Sequence, residues 1–316
     1  REFSDKLKSR VNFNDIRTNL NGTARVGAND PNVLTSIVNF QPRTTDFSLF
    51  RPWKDEFGNQ INIPGGQQNN PYWVANENAP EVSVQRFFGN VSMQYLPFDD
   101  FDILARAGYD TSVDKRFTQN SIGTVGRLNG TFTDDWIDTR ELTLDLIATY
   151  DKYITDDFNL TVRGGMQWNE RVFERLGNNA LDLTVPELFA PGNADVNNVF
   201  KAFSKRRILG VFGDVTFNYK NWLILNATGR NDYSSTLPLN NNSFFYPSVS
   251  LSWVFTDALK LSGDVFSFGK LRGSWANVGG DTNPYLLDYT YNPDTDFFGQ
   301  FGTGGTFPFD GQLAFN

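Results

Sequence analysis

The sequence predicts an all-β protein, an antiparallel transmembrane β-barrel, from three observations. Apolar and polar residues alternate along eight segments, these segments form pairs joined by short turns, and aromatic residues gather near both ends of the segments. A period of two places successive side chains on opposite faces of a β-strand. One face of the predicted sheet is therefore apolar and the other is polar.

The first predicted hairpin shows the pattern most clearly. Apolar residues occupy every second position from Phe87 to Tyr95 and again from Phe101 to Tyr109, and a turn at 97–100 separates the two segments. The residues between the apolar positions are mostly polar. We therefore expect two antiparallel strands whose odd-numbered side chains share one face.

Three further hairpins follow in order, each with the same alternation and without a charged residue in its apolar set. They comprise Leu142–Tyr150 with Phe158–Trp168, Leu209–Tyr219 with Leu223–Gly229, and Val249–Phe255 with Leu271–Trp275. A ninth strand is predicted near the N-terminus, where Leu7, Val11 and Phe13 alternate with polar residues.

The connections between the segments favour a membrane protein. Turns near residues 97, 155 and 220 are short, whereas the predicted connections 111–136, 176–205 and 234–243 are longer and rich in Asn, Gly, Asp and Pro. Short turns on one side and long loops on the other are typical of outer-membrane barrels. The two aromatic bands lie eight to ten residues apart, or about 20–25 Å for tilted strands, close to the apolar band of such a barrel.

A soluble β-sandwich or propeller is the alternative, with the apolar face packed on a core. Its strands would average about 5–6 residues, whereas the predicted segments run past ten, and a sandwich gives no reason for two aromatic bands. No continuous run of apolar residues is long enough for a membrane-spanning helix, and a barrel strand needs none.

The composition excludes several kinds of activity. The 316-residue chain contains no cysteine and no histidine, so it has neither a thiolate metal site nor the commonest general base. We predict that it is not an enzyme. The formal net charge of −8 argues against binding to nucleic acid. Acidic loops suit an outer surface where divalent ions bridge lipopolysaccharide.

The chain is expected to form a single partial domain, residues 1–316. It begins at Arg1 inside a predicted strand and ends at Asn316 in a stretch rich in Gly and Phe. About nine strands would leave two unpaired edges, which lipid does not tolerate. We therefore expect the strands that close the barrel to lie outside this chain.

Several stretches carry a family resemblance, in order along nearly the whole chain. They are Asn70–Asn78, Arg86–Ser92, Gly213–Asn221, Ala227–Pro238, Phe244–Ser250 and Lys270–Ala276. Together they resemble the SusC/RagA-type TonB-dependent outer-membrane transporters of Bacteroidetes.

The resemblance implies a barrel of roughly 22 strands with a plugged lumen. It also implies import of oligosaccharides, or of oligopeptides, together with a SusD-type surface lipoprotein, energised by TonB pulling on the plug. No plug or TonB-contacting segment is recognisable in this sequence, so import would belong to a larger protein. The alternative function is a structural or docking barrel of a cell-surface complex with little transport.

Two sets of residues are candidate sites. The first is a predicted loop whose aromatic rings could stack on sugars and whose amides and carboxylate could bond hydroxyl groups; its residues are Tyr72, Trp73, Asn76, Glu77 and Asn78. A packed anchor at the entry to the following strand is the alternative, and the sequence favours it.

The second set comprises charged residues that should face the lumen or the plug: Asp102, Arg106, Asp145, Arg163, Asp214, Arg230, Asp232 and Arg272. Opposite charges on one wall are expected to pair with each other or with the plug. No cofactor is predicted. Asp281, Asp294 and Asp296 could offer oxygen ligands to Ca²⁺ in an extracellular loop, although their spacing matches no known cation loop.

Overall fold

The chain folds into one antiparallel sheet. The computed structural model describes residues 2–22, 42, 44–62, 68–261 and 268–287. Within these residues, ten strands follow one another in chain order, and each pairs with the next. The strands are β1 (Glu2–Ser4), β2 (Leu7–Asn21), β3 (Glu81–Phe98), β4 (Phe101–Asn120), β5 (Thr131–Thr155), β6 (Phe158–Leu183), β7 (Ala194–Tyr219), β8 (Leu223–Ser234), β9 (Ser243–Val254) and β10 (Lys270–Ala276).

In the part of the chain that the structure describes, two short helices accompany the sheet. Helix α1 (Pro71–Glu77) precedes β3, and α2 (Phe255–Ala258) follows β9. Single 3₁₀ turns occur at Phe47–Phe50 and Pro191–Asn193. No helix in the described part of the chain is long and apolar enough to cross a membrane.

The register confirms the predicted hairpins and their faces. One continuous row of directly opposed residues crosses seven strands on the apolar face, which we call the outer face: Val11, Val91, Ala107, Leu144, Trp168, Leu209 and Tyr233. The residues between these positions face the other side, which we call the inner face. Many outer side chains are exposed in the chain alone, Val91 and Leu146 at 47% each.

The short turns join the strands at one end of the sheet, the short-turn end. The turn between β7 and β8 places Lys220 and Asn221 at φ values of 50° and 61°, and the Trp222 amide donates to the Tyr219 carbonyl at 3.1 Å. Positive φ at both central residues matches the right-handed twist of the flanking strands, and Asn tolerates it better than most residues.

At the opposite, long-loop end, the strands extend further than the sequence predicted. The predicted connections 111–136 and 176–205 shrink to 121–130 and 184–193, because β5, β6 and β7 are 25 to 26 residues long. In these extensions large apolar residues such as Ile137, Phe173 and Phe200 lie on the inner face. The alternation that predicts apolar residues on the outer face therefore does not continue into these extensions, and it does not reveal them as strands.

The described residues bury one apolar cluster on the sheet, at its long-loop end. Phe132, Ala180 and Leu183 are nearly inaccessible, and the rings of Phe117 and Phe189 pack against them. Along the rest of the described sheet, most side chains on both faces remain at least partly accessible, although a few, such as Asp145 and Val254, are buried. The outermost strands of the sheet are β1 and β10.

Candidate functional site

The first candidate segment is a helix with a defined start, and the prediction of a loop there is wrong. Asn70 caps α1, because its side-chain oxygen accepts a hydrogen bond from the Tyr72 amide at 2.9 Å. Pro71 occupies the first helical position, where its missing N–H costs nothing. The cap and the proline fix the direction in which the chain enters β3.

Two of the five candidate residues are buried and contact the loop between β4 and β5. Trp73 is 1% exposed, and its indole Nε1 donates to Thr124 Oγ1 at 2.9 Å. The Asn78 side-chain oxygen accepts from the Ser121 amide at 2.9 Å. The segment that includes α1 is therefore packed onto residues 121–130.

Glu77 joins this packed segment to two other connections. Its carboxylate accepts from Trp53 Nε1 at 2.8 Å and pairs with Lys54 Nζ at 2.9 Å. Lys54 also reaches Glu187, in the loop between β6 and β7, at 2.6 Å. We call this assembly of residues 44–62, 69–78, 121–130 and Glu187 the cap.

The charges of the cap stabilise one another. Partial burial disfavours the charge on Lys54, but its hydrogen bonds to Glu187 and Glu77 outweigh burial and raise the pKa of the amine above its usual value. The hydrogen bond from Lys54 likewise lowers the pKa of Glu187. Both groups are thus charged at neutral pH.

The five residues predicted to contact a substrate or partner differ in accessibility. Trp73 and Asn78 are buried, Tyr72 and Glu77 are partly buried, and Asn76 is exposed, with its amide donating to the Tyr72 carbonyl at 2.7 Å. Contact between this segment and a solute stays a prediction, and Asn76 is the position best exposed for it.

The charged residues of the second set share one face of the sheet. Their register places all eight between the outer positions: Asp102, Arg106, Asp145, Arg163, Asp214, Arg230, Asp232 and Arg272. The eight residues thus lie together on the polar, inner face; that this face lines a lumen and contacts a plug or solute stays a prediction.

Most of these charges are paired within the sheet. Arg106 Nε donates to Asp145 at 2.7 Å, and Arg230 Nε donates to Asp232 at 2.7 Å. Gln167 links the two pairs, because its amide donates to Asp145 at 2.8 Å and its oxygen accepts from Arg230 at 3.1 Å. A hydrogen-bonded chain thus runs across the inner face from β4 to β8.

A glycine makes this chain of bonds possible. The Arg230 guanidinium passes over Gly210, where a Cβ atom would collide with both Arg230 and Asp232. The guanidinium also lies over the Phe212 ring, 5.8 Å from its centre. Sequence reasoning missed Gln167, Gly210 and Phe212, since only the register brings them beside Arg230.

The inner face also contains a groove of about 430 Å³ across β2 to β5. Gly108 is part of its lining, and the nearest atoms to a Cβ built on it are 3.9 Å away. Polar side chains dominate the lining, which consists of Asn12, Asn14, Phe88, Gly89, Asn90, Arg106, Gly108, Tyr109, Asp110, Glu141, Thr143 and Asp145.

Asp281, the described member of the three aspartates considered for Ca²⁺, is already engaged by the protein. Its carboxylate accepts from Ser234 Oγ at 2.9 Å and lies 3.6 Å from Arg206. Asp294 and Asp296 lie outside the described residues. Among the residues that are described, no three acidic side chains come together as a group that could hold a metal ion.

Taken together, a long up-and-down sheet with one apolar and one polar face defines a part of the wall of a membrane β-barrel. The sequence of residues 19–278 matches the family described as TonB dependent receptor-like, beta-barrel. The chain belongs to this family, whose members are outer-membrane receptors.

Two curated relatives come from Formosa agariphila. TonB-dependent receptor P26 is 24% identical over 295 residues, which is 90% of this chain and 28% of that protein. TonB-dependent receptor P3 is 25% identical over 237 residues, or 72% of this chain and 23% of that protein. The chain thus spans about a quarter of the length of these relatives.

Solved structures of RagAB share the fold. The RagAB peptide transporter superposes with a TM-score of 0.76 at 15% sequence identity, covering 100% of this chain and 35% of that chain. The RagAB peptide importer in its closed-closed state gives 0.73 at 16% identity, covering 98% and 34%. At this identity the likeness extends to the fold alone.

Proposed function

We propose that this chain forms part of the wall of an outer-membrane transporter that imports an oligosaccharide in a TonB-dependent step. The observation that carries the proposal is the mostly polar inner face, which continues from β2 to β10 behind the apolar band of the outer face. Such a wall suits passage of a hydrated solute through a membrane. An oligopeptide is the second candidate, because the RagAB proteins that share the fold are described as peptide transporters and importers.

The proposal includes the partners that such a transporter requires. A SusD-type surface lipoprotein would close over the long-loop end, a plug would supply the contact with TonB, and lipopolysaccharide would surround the outer face. The exposed side of α1, with Asn76 and the partly buried Tyr72, would contact the solute or the lipoprotein.

Uptake by cells that carry the whole protein tests the proposal. Fluorescently labelled oligosaccharide and oligopeptide pools are supplied to cells with intact TonB, without TonB, and without the neighbouring lipoprotein. We expect accumulation in the periplasm only when TonB is present. Equal accumulation with and without TonB, or none of either solute, would refute import and favour a docking barrel.

A further inference from the structure

The inner-face groove over Gly108 contains a carboxylate that the sheet leaves without a positive partner. Two other charges of the lining are neutralised: Asp145 by Arg106, and Asp110 by Arg86, whose Nε and Nη2 atoms donate to it at 3.0 and 2.5 Å. Glu141 instead accepts from the neutral Asn169 amide at 2.8 Å.

Glu141 forms no direct ion pair with the described residues. Arg171 lies directly opposite it in the register of β5 and β6, yet no Lys or Arg nitrogen of the described residues comes within 4.0 Å of the Glu141 carboxylate. The groove therefore offers one carboxylate whose charged oxygens are not engaged by a basic side chain.

The shape of the groove gives access to this carboxylate. Gly108 lies between Asn90 and Thr143 in the register, and the nearest atoms to a Cβ built on Gly108 are 3.9 Å away. The gap above it spans two strand spacings, about 10 Å. Amide and hydroxyl oxygens of Asn90 and Thr143 border this gap on either side.

An ammonium group suits this lining better than a neutral or an anionic group does. It carries a positive charge and three N–H donors and has no acceptor. Glu141 supplies a charged acceptor, and the Thr143 hydroxyl beside it supplies a neutral one. Hydrogen bonds to charged groups are the stronger ones in proteins.

We propose that the groove over Gly108 binds the ammonium group of a solute through Glu141. The inference rests on the proposed function, since the solute must enter the lumen. Both an amino sugar and the amino terminus of a peptide present this group, and binding measurements distinguish them.

The test uses the whole transporter that contains this chain, purified in detergent, with calorimetric titration at about pH 6, where a peptide amino terminus is protonated. The probes are a glucosamine tetramer and tetra-alanine, each with its fully N-acetylated counterpart. We expect one of the two amine probes to bind roughly tenfold more tightly than its acetylated form. Tighter binding of the glucosamine tetramer would identify the solute as an amino sugar, and tighter binding of tetra-alanine would identify it as a peptide.

Two variants and one control assign the preference to the groove. Glu141→Gln removes the charge and keeps an acceptor for Asn169, and Gly108→Leu fills the gap; both should abolish the preference for the amine. Asp114→Asn is the matched control, because it neutralises a carboxylate on the same face of β4, six residues from Gly108 and outside the groove, and keeps an acceptor for Arg116. Heat-modifiable migration in electrophoresis shows that each variant is folded.

The results separate this inference from the proposed function. Equal binding of amine and acetylated probes, or a preference that survives in Glu141→Gln, would overturn the ammonium site. TonB-dependent uptake together with equal binding of the amine and acetylated probes would support import and refute the ammonium site. Absence of any TonB-dependent uptake would refute the proposed function itself.

Discussion

An arginine placed at Leu146 should destabilise the protein because Leu146 lies near the middle of the apolar band. The outer face of β5 is apolar from Leu142 to Tyr150, a span of eight residues. At about 3.3 Å per residue and a tilt of about 45°, this span is about 19 Å high. Leu146 is its midpoint, opposite Ala105 and Met166 in the register.

The expected cost follows from this depth. Arginine on the lipid face costs about 2–4 kcal/mol at the bilayer midplane, which changes the folding equilibrium roughly 30- to 900-fold. Thr149→Arg is the control, since Thr149 lies on the inner face of the same strand between Asp102 and Arg163. It should change stability by about 0.5 kcal/mol or less.

The whole protein, folded in lipid vesicles, is titrated with guanidinium chloride, and the folded fraction is read from heat-modifiable migration. The midpoint of Leu146→Arg should fall well below that of the unmodified protein, while Thr149→Arg should stay close to it. Equal midpoints for the two variants would show that the outer face does not meet lipid.

Three further predictions concern the inner face and the cap. Gly210→Ala should cost about 1 kcal/mol, because the new methyl group displaces the ends of the Arg230 and Asp232 side chains and weakens their hydrogen bonds; thermal unfolding measures it. Trp73→Ala should cost about 3–5 kcal/mol locally and speed hydrogen exchange at the Thr124 amide, with little effect on the strands. Acidification should break the bond between Glu187 and Lys54. Because the pKa of Glu187 is lowered in the folded protein, its charge stabilises the cap fully above the ordinary glutamate pKa of about 4.3, and this stabilisation is lost as the pH falls through the lowered pKa. Faster hydrogen exchange in the loop that contains Glu187 measures the loss.

Each of these predictions has its own control. Gly164→Ala should be nearly neutral, because no atom lies within 4 Å of a Cβ built there. Asn76→Ala alters the exposed side of α1 and should leave exchange of the 121–130 loop unchanged. A Glu187→Gln protein should show no acid-dependent change in its loop; if it changes as the unmodified protein does, another group causes the effect.

The sequence predicted the strands in the band accurately for a physical reason. Lipid on one side and a polar lumen on the other impose strict alternation, and a slip of one residue would place Arg106 or Asp145 in lipid. The opposed pairs Val91–Ala107 and Leu144–Trp168 follow directly from that constraint.

The start of α1 is also visible in the sequence. Asn at the cap position followed directly by Pro is a standard signal for a helix start. What no local pattern indicates is the partner of Trp73, because Thr124 lies 51 residues away. The burial of this ring depends on a contact between two connections, and neither connection specifies it alone.

The change in pattern along β5, β6 and β7 marks the level at which the membrane should end. At Leu142 the outer face is still apolar, whereas its opposed neighbour on β6 is Glu170, which pairs with Arg207 at 2.5 Å. One step further from the short-turn end lies Arg140, which pairs with Glu174 at 3.1 Å.

Charges on the outer face are costly in hydrocarbon but inexpensive in the headgroup region or in water. The charged pairs therefore place the edge of the apolar band between Leu144 and Arg140. Beyond that level nothing requires an apolar outer face, so apolar residues such as Phe173 occur on the inner face instead. The strands continue past the membrane because backbone pairing does not depend on which face is apolar, and this is why the loops are shorter than the alternation alone predicted.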